Sequence, residues 1–199
     1  IEFAKDFGYK IKLLGVAMRG PGGVEQRVHP TLVPEGTPLA AVSGVFNAVS
    51  IEGDRVGQLV LEGRGAGEGP TASAVLSDLV DIARGLVVPP FIVPTSHLKP
   101  SVKAKSDANK SAYYIRFNAA DRAGSIAEIT RALADAQVSI ERIVQSSEPR
   151  DASTGRLPVV FLTHETEEGS MRKALIHLSK HEDVAGKPLV VRLATSGSR

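Results

Sequence analysis

A chain of 199 residues, 42% hydrophobic and 23% charged, has an ordinary globular composition with room for one large domain or two small ones. Its net charge of +2, with Lys and Arg interspersed among Asp and Glu, supplies no basic patch and so argues against a nucleic-acid partner. The absence of cysteine excludes disulfides and thiolate metal sites and fits a cytoplasmic setting, and no apolar run nears the roughly 20 residues that cross a bilayer, so no membrane partner is expected. A start at Ile1, with neither methionine nor a signal-like segment, leads to the expectation of a fragment.

Residues 1–7 read as the tail of a helix stopped by Gly8. Tyr9 to Met18 has strand period, Gly20 to Gly23 makes a turn, and Val24 to Val28 resumes as a hairpin partner. Pro30, Pro34 and Pro38 then punctuate a connection. A strand from Val45 to Ile51 and its partner, Val56 to Leu61, lead into the run G-R-G-A-G-E-G-P beginning at Gly63. Pro70 suits a first helical turn, and Ala72, Leu76, Leu79, Val80 and Ala83 share one face of the helix that follows, widened by Val75 and Ile82. So broad an apolar face predicts a well-buried helix, ended by Gly85. Asp78 and Asp81 fall on its flank and read as solvated acids. Val87 to Pro100 is proline-rich and Ser101 to Ser111 is polar and Lys-rich, which makes both a connection.

A second unit starts at Ala112. Strand, the loop D-R-A-G-S (Asp121 to Ser125), helix, and an irregular strand over Ser139 to Ser146 come first, followed by a polar turn over Pro149 to Gly155. A strand around Leu157 to Phe161, a helix around Met171 to Leu178, and a closing strand from Pro188 to Ala194 complete the order β-α-β-β-α-β. That order is the ferredoxin-like plan, with both helices on one face of an antiparallel sheet.

Two stretches could hold ligands. The glycines at 63, 65, 67 and 69 allow close approach to a helix N-terminus, which favours an anionic or polar guest, although a simple glycine-rich turn has the same local pattern. Gly124 does the same for D-R-A-G-S, where N–H groups at the helix start could hold the carboxylate of an amino acid, or merely form a turn and cap. G-R-G-A-G-E-G is not the dinucleotide fingerprint G-x-G-x-x-G, and no phosphate loop or nucleophile elbow is present. His177 and His181 are four apart on a predicted helix, but Leu178 stands where a zinc protease needs glutamate, so no metal site is expected.

The runs Phe7 to Ala17 (F-G-Y-K-I-K-L-L-G-V-A), Val28 to Pro34 (V-H-P-T-L-V-P), Pro38 to Val49 and Gly63 to Arg84 resemble, in order, the C-terminal part of the homoserine dehydrogenase family. Residues 112–195 resemble the ACT domain that many such enzymes carry, except that Ala123 replaces the proline of D-x-P-G. The expected fold is therefore α+β: a mixed or antiparallel sheet segment with its helix over residues 1–99, a linker over 100–111, and a ferredoxin-like ACT domain over 112–195. The resemblance implies interconversion of L-homoserine and L-aspartate 4-semialdehyde with NAD or NADP, on the route to threonine, methionine and isoleucine. It places Gly65, Ala66, Gly67 and Glu68 against the cofactor, and Asp121, Gly124, Ser125 and Ile126, with Gln145, around an amino-acid effector such as threonine. It also implies a homodimer or homotetramer. The family's nucleotide-binding fold, catalytic lysine, substrate carboxylates and monovalent-cation site precede this region, so catalytic residues are expected upstream of Ile1. The alternative expectation is an amino-acid-binding regulatory and dimerisation module without activity of its own.

Overall fold

A computed structural model describes residues 2–20, 23–89, 91, 93–100, 107, 109–145 and 155–194. In chain order the elements are α1 (Glu2–Asp6), β1 (Tyr9–Gly20), β2 (Gly23–Pro34), α2 (Pro38–Ala41), β3 (Phe46–Gly53), β4 (Gly57–Arg64) and α3 (Glu68–Ala83). They continue with β5 (Lys110–Ala120), α4 (Ser125–Asp135), β6 (Ile140–Gln145), β7 (Arg156–Thr163), β8 (Thr166–Glu167), α5 (Glu168–Leu178) and β9 (Val184–Leu193). Packing divides them into Ile1–Glu35 with Lys103–Ser198, and Gly36–Val102. The compact units therefore do not coincide with the segments expected from sequence, because the first 35 residues pack with the C-terminal region.

In the first unit, strand order β9-β5-β7-β6 is the ferredoxin-like sheet, with α4 and α5 supplying the two crossovers. One face carries Tyr113, Ile115, Phe117 and Phe161, packed with Ile129 and Leu133 of α4 and with Met171, Ala174 and Leu178 of α5. Phe117 and Phe161 stack with ring centroids 5.3 Å apart. The opposite face carries Tyr114, Val160 and Leu162, and a second apolar cluster covers it with Ala4 of α1, Leu32 of β2 and Leu193 of β9. Cover on both faces explains why Pro158 to Thr163 of β7 are all buried, where a one-sided sheet would alternate.

The N-terminal hairpin reaches this sheet through β2, which runs parallel to β9 at Thr31↔Arg192 and Leu32↔Leu193. Ala194 N–H donates to the Leu32 carbonyl at 2.7 Å. Strands β1 and β2 pair over their whole lengths, from Tyr9↔Pro34 to Gly20↔Gly23. Pro30, expected in a connection, instead lies inside β2 opposite Leu13. A proline is tolerated there because the side of β2 away from β1 meets β9 only at Thr31 and Leu32. Three further corrections concern lengths. The short β8 pairs with the start of β5 at Lys110↔Glu167 and was not expected. Lys110 and Ser111, assigned to the linker, belong to β5. Strand β9 starts at Val184, four residues before the predicted Pro188, and Gly186 at φ +71 lies where its register with β5 shifts. The irregularity expected in β6 is present, between Ile140 and Arg142. The predicted turn over Pro149 to Gly155 lies, apart from Gly155, outside the described residues.

In the second unit, β3 and β4 form a two-stranded hairpin from Phe46↔Arg64 to Gly53↔Gly57, followed by α3. Helix α3 ends in a Schellman arrangement: Gly85 takes φ +75, its N–H donates to the Ile82 carbonyl at 3.0 Å, and Leu86 N–H reaches the Asp81 carbonyl at 2.9 Å. The expectation that α3 is well buried is corrected, since none of its residues is buried. Leu79 is 55% and Ile82 70% exposed. Two strands offer too little apolar surface to cover so wide a face. Among the described residues from Gly85 to Pro100, a short helical turn forms at Thr95–His97.

Candidate functional site

The glycine loop connects β4 to α3. Gly65 N–H donates to the Val45 carbonyl at 3.4 Å, which draws the loop against the residue preceding β3. A Cβ at Gly65 would lie 2.1 Å from Asn47 Nδ2, so glycine is what lets that side chain lie across the loop. Gly67 is the N-cap of α3 at φ +116 and ψ 159, a region open essentially to glycine alone. No side chain caps the helix, and its first N–H groups have no partner within it. The Gly67 carbonyl is turned inward, accepting from Thr71 N–H at 3.2 Å and from Thr71 Oγ1 at 2.8 Å.

Glu68 stands in the first turn of α3 and complements the positive end of the helix dipole with its own carboxylate. A phosphate placed beside it would meet like charge. Gly65, Ala66, Gly67 and Glu68 are thus brought together as one exposed, uncapped turn.

The D-R-A-G-S loop lies in the first unit. Asp121 N–H donates to the Gly155 carbonyl at 3.3 Å, and Ala120 N–H to the Asp183 carbonyl at 2.8 Å. Gly124, at φ +89, is the N-cap of α4, again with no side-chain cap. Nothing lies within 4 Å of a Cβ built there, so the space beside it is open. Ser125 is buried and its Oγ has no hydrogen-bond partner. Glu128 N–H closes the first turn on the Gly124 carbonyl at 3.0 Å.

Arg122 holds this loop to the start of β9. Its Nε and a terminal nitrogen donate to the two Asp183 oxygens, each at 2.8 Å, and Asp183 is buried. Glu182 and Glu128 lie 3.4 and 3.8 Å from the same guanidinium. These acids raise the Arg122 pKa, the hydrogen bonds to Asp183 first. Glu128, His181 and Asp183 could by spacing hold a metal ion, but the guanidinium already occupies both Asp183 oxygens. His181 lies past the end of α5, so it does not share a helical face with His177 as predicted. Its Nδ1 accepts from Asp183 N–H at 3.2 Å.

Gln145 ends β6, two strands from β5 in the sheet. The register Phe117↔Val159↔Gln145 puts it on the helix-covered face. Because β6 runs parallel to β5, Gln145 stands at the sheet end from which D-R-A-G-S departs. The Arg122–Asp183 pair was not legible in sequence: 61 residues separate its members, and no local pattern links them.

The family model for homoserine dehydrogenase matches residues 1–80, and the ACT domain model matches residues 113–176. A homoserine dehydrogenase of Helicobacter pylori is 38% identical over 195 residues, 97% of this chain and 45% of that protein. One from Pseudomonas aeruginosa is 40% identical over 201 residues, again 97% of this chain and 45% of the relative. The crystal structure of a homoserine dehydrogenase from Thiobacillus denitrificans superposes with a TM-score of 0.86 at 40% identity, covering 99% of this chain and 45% of that one. A Staphylococcus aureus homoserine dehydrogenase gives a TM-score of 0.65 at 27% identity. The chain thus spans less than half the length of these relatives.

Proposed function

We propose, from the premise that this chain belongs to the homoserine dehydrogenase family and corresponds to the C-terminal part of its members, that it forms one wall of the cofactor site and the regulatory unit of such an enzyme. The reaction is the reversible oxidation of L-homoserine to L-aspartate 4-semialdehyde, in which the carbinol C–H leaves as hydride and the hydroxyl proton is released. A nicotinamide dinucleotide, NAD or NADP, supplies or accepts the hydride. Within that scheme Gly65 to Gly67 present backbone to the ligand, and Glu68 keeps phosphate away from the turn. The hydride-transfer residues are sought in the part of the relatives that this chain does not span.

The second half of the proposal is feedback control. The open N-terminus of α4 would receive the carboxylate of an amino-acid effector, threonine being the first candidate. Asp121 and Gln145 would take its ammonium or hydroxyl, while Gly124, Ser125 and Ile126 form the floor. Function would then divide as residues 1–99 for the dehydrogenase and 112–195 for the effector unit, in a cytoplasmic homodimer or homotetramer. The observation that carries the reading is the pair of uncapped, glycine-led helix starts, at Gly67 and Gly124, in the segments of the two family matches or bordering them.

The test is homoserine oxidation by the full-length gene product, followed through formation of reduced NAD or NADP. No turnover with either cofactor overturns the reading. A regulatory module without activity is favoured for the isolated chain by one structural contrast: the first unit has two apolar clusters, whereas α3 has no buried residue. Calorimetry on the 199-residue chain, showing saturable threonine binding without cofactor binding, would assign it that role.

A further inference from the structure

Asn47, near the start of β3, lies across the glycine turn without belonging to it. In the β3–β4 ladder it sits opposite Gly63, and Gly65, one residue past the end of β4, is diagonal to it on the same face. Neither glycine carries a side chain, so nothing at those positions holds Asn47 away from the turn. A Cβ built on Gly65 would overlap Asn47 Nδ2 and lie 2.9 Å from Asn47 Cγ, closer than real Cβ atoms approach. The carboxamide therefore fills the space that a side chain at Gly65 would take.

The same carboxamide donates from Nδ2 to the Val45 carbonyl at 3.4 Å, and Gly65 N–H donates to that carbonyl at 3.4 Å as well. Two donors thus converge on one acceptor at the open end of the hairpin. Both bonds are long, so shape contributes more than hydrogen bonding to holding the side chain there. On the other face of the pair, the Arg64 guanidinium lies 5.6 Å from the Phe46 ring centroid, a second tie between the same two segments.

The turn fastened in this way is otherwise loosely determined. Two of its residues from 65 to 67 are glycine, which has the widest backbone freedom of any residue. Gly67 must also hold φ +116 to begin α3. A turn of that composition samples many shapes, and a ligand that needs one of them loses affinity in proportion to how seldom it is populated. A side chain seated on Gly65 narrows that choice before the ligand arrives.

We propose that Asn47 is a positioning residue for the cofactor turn: its carboxamide, seated on Gly65, holds residues 65–67 in the shape that meets the dinucleotide. The proposal rests on the reading that this turn faces the cofactor. Asn47 acts by shape, through the turn, and takes no part in hydride transfer. Position 65 is glycine because Asn47 needs its space, whereas position 67 is glycine because of its backbone angle.

Two substitutions remove the seat by different routes. Asn47→Ala deletes the carboxamide. Gly65→Ala pushes it aside at little cost to folding, because Gly65 has no positive φ and Nδ2 is the terminal atom of an exposed, rotatable side chain. Each should raise the cofactor Kd of the full-length protein about fivefold or more, the freedom of two released glycines. Fluorescence titration with reduced NAD and with reduced NADP reads Kd without turnover. Cofactor KM should rise in step while kcat stays within about twofold. Since both variants act on one contact, the double variant should be no weaker than either alone, whereas independent effects would multiply to about 25-fold. Asn47→Leu keeps the shape of the side chain without its amide and should stay within about twofold of the unaltered protein. Gln58→Ala removes the Gln58–Ser50 hydrogen bond at the far end of the same hairpin and should leave Kd unchanged. An unchanged Kd in Asn47→Ala, with a raised one in Gly67→Ala, overturns the proposal and leaves the turn at the cofactor. An unchanged Kd in both overturns the turn's role and the proposal with it. Multiplying effects in the double variant, Asn47→Leu as weak as Asn47→Ala, or an equal loss in Gln58→Ala also overturns it. If Asn47→Ala does not fold, Gly65→Ala decides.

Discussion

Gly67→Ala and Gly69→Ala make the same chemical change two residues apart, yet they should behave in opposite ways. Gly67 has φ +116 and ψ 159, and a Cβ there would touch only Pro70 Cδ, at an ordinary 3.6 Å. The perturbation is therefore almost purely conformational, and holding alanine in that region costs on the order of 1–3 kcal/mol. Alanine escapes the strain by turning the peptide, which removes the backbone surface offered to the cofactor. Converted at about 1.4 kcal/mol per tenfold, the loss corresponds to an increase in cofactor KM of roughly 5- to 150-fold. Gly69, in contrast, lies in the first turn of α3, has no positive φ, and has open space where its Cβ would go. Alanine there should help the helix by up to about 1 kcal/mol and leave KM within twofold. The assay is steady-state kinetics of the full-length protein with each cofactor, accompanied by a thermal melt. Equal KM values for the two variants, with both proteins folded, would refute the placement of the loop.

Other consequences follow from the first unit and from the exposed helix. Asp121→Ala should weaken threonine inhibition of the full-length protein several-fold while uninhibited turnover stays near normal; parallel loss of both would mean misfolding. Phe161→Ala removes a fully buried ring stacked on Phe117 and should lower stability by about 3–5 kcal/mol, read from the urea midpoint of the 199-residue chain. His29 has a depressed folded pKa, so its neutral form is favoured in the fold; the stability this confers is fully present above 6.5 and is lost as pH falls from there through the folded value. His29→Asn should accordingly flatten the acid limb of the stability-against-pH curve below 6.5, and an unchanged limb would refute the assignment. Leu79→Ser should leave the melting of the 199-residue chain unchanged, since the residue is 55% exposed, but should destabilise the full-length protein if another region covers α3.

The sequence by itself determined the elements whose signals are local. Gly8, Gly85 and Gly124 take left-handed conformations at the helix boundaries expected of them, because no other residue adopts that backbone so readily. The period-two run Tyr113, Ile115, Phe117 and the helical runs of α4 and α5 set out the β-α-β-β-α-β order, including the break in β6. Both candidate loops were legible for the same reason, as glycine-led starts of amphipathic helices. Tertiary structure decided what depends on residues far apart in the chain. Pairing at Thr31 and Leu32 carried the N-terminal hairpin into the C-terminal sheet, although Pro30 and Pro34 locally read as loop. The Arg122–Asp183 clamp likewise joins positions that no spacing rule connects. Helix α3 gives the converse lesson: an apolar stripe specifies which face is to be covered, but burial requires a second surface, and the described strands of its own unit do not provide one.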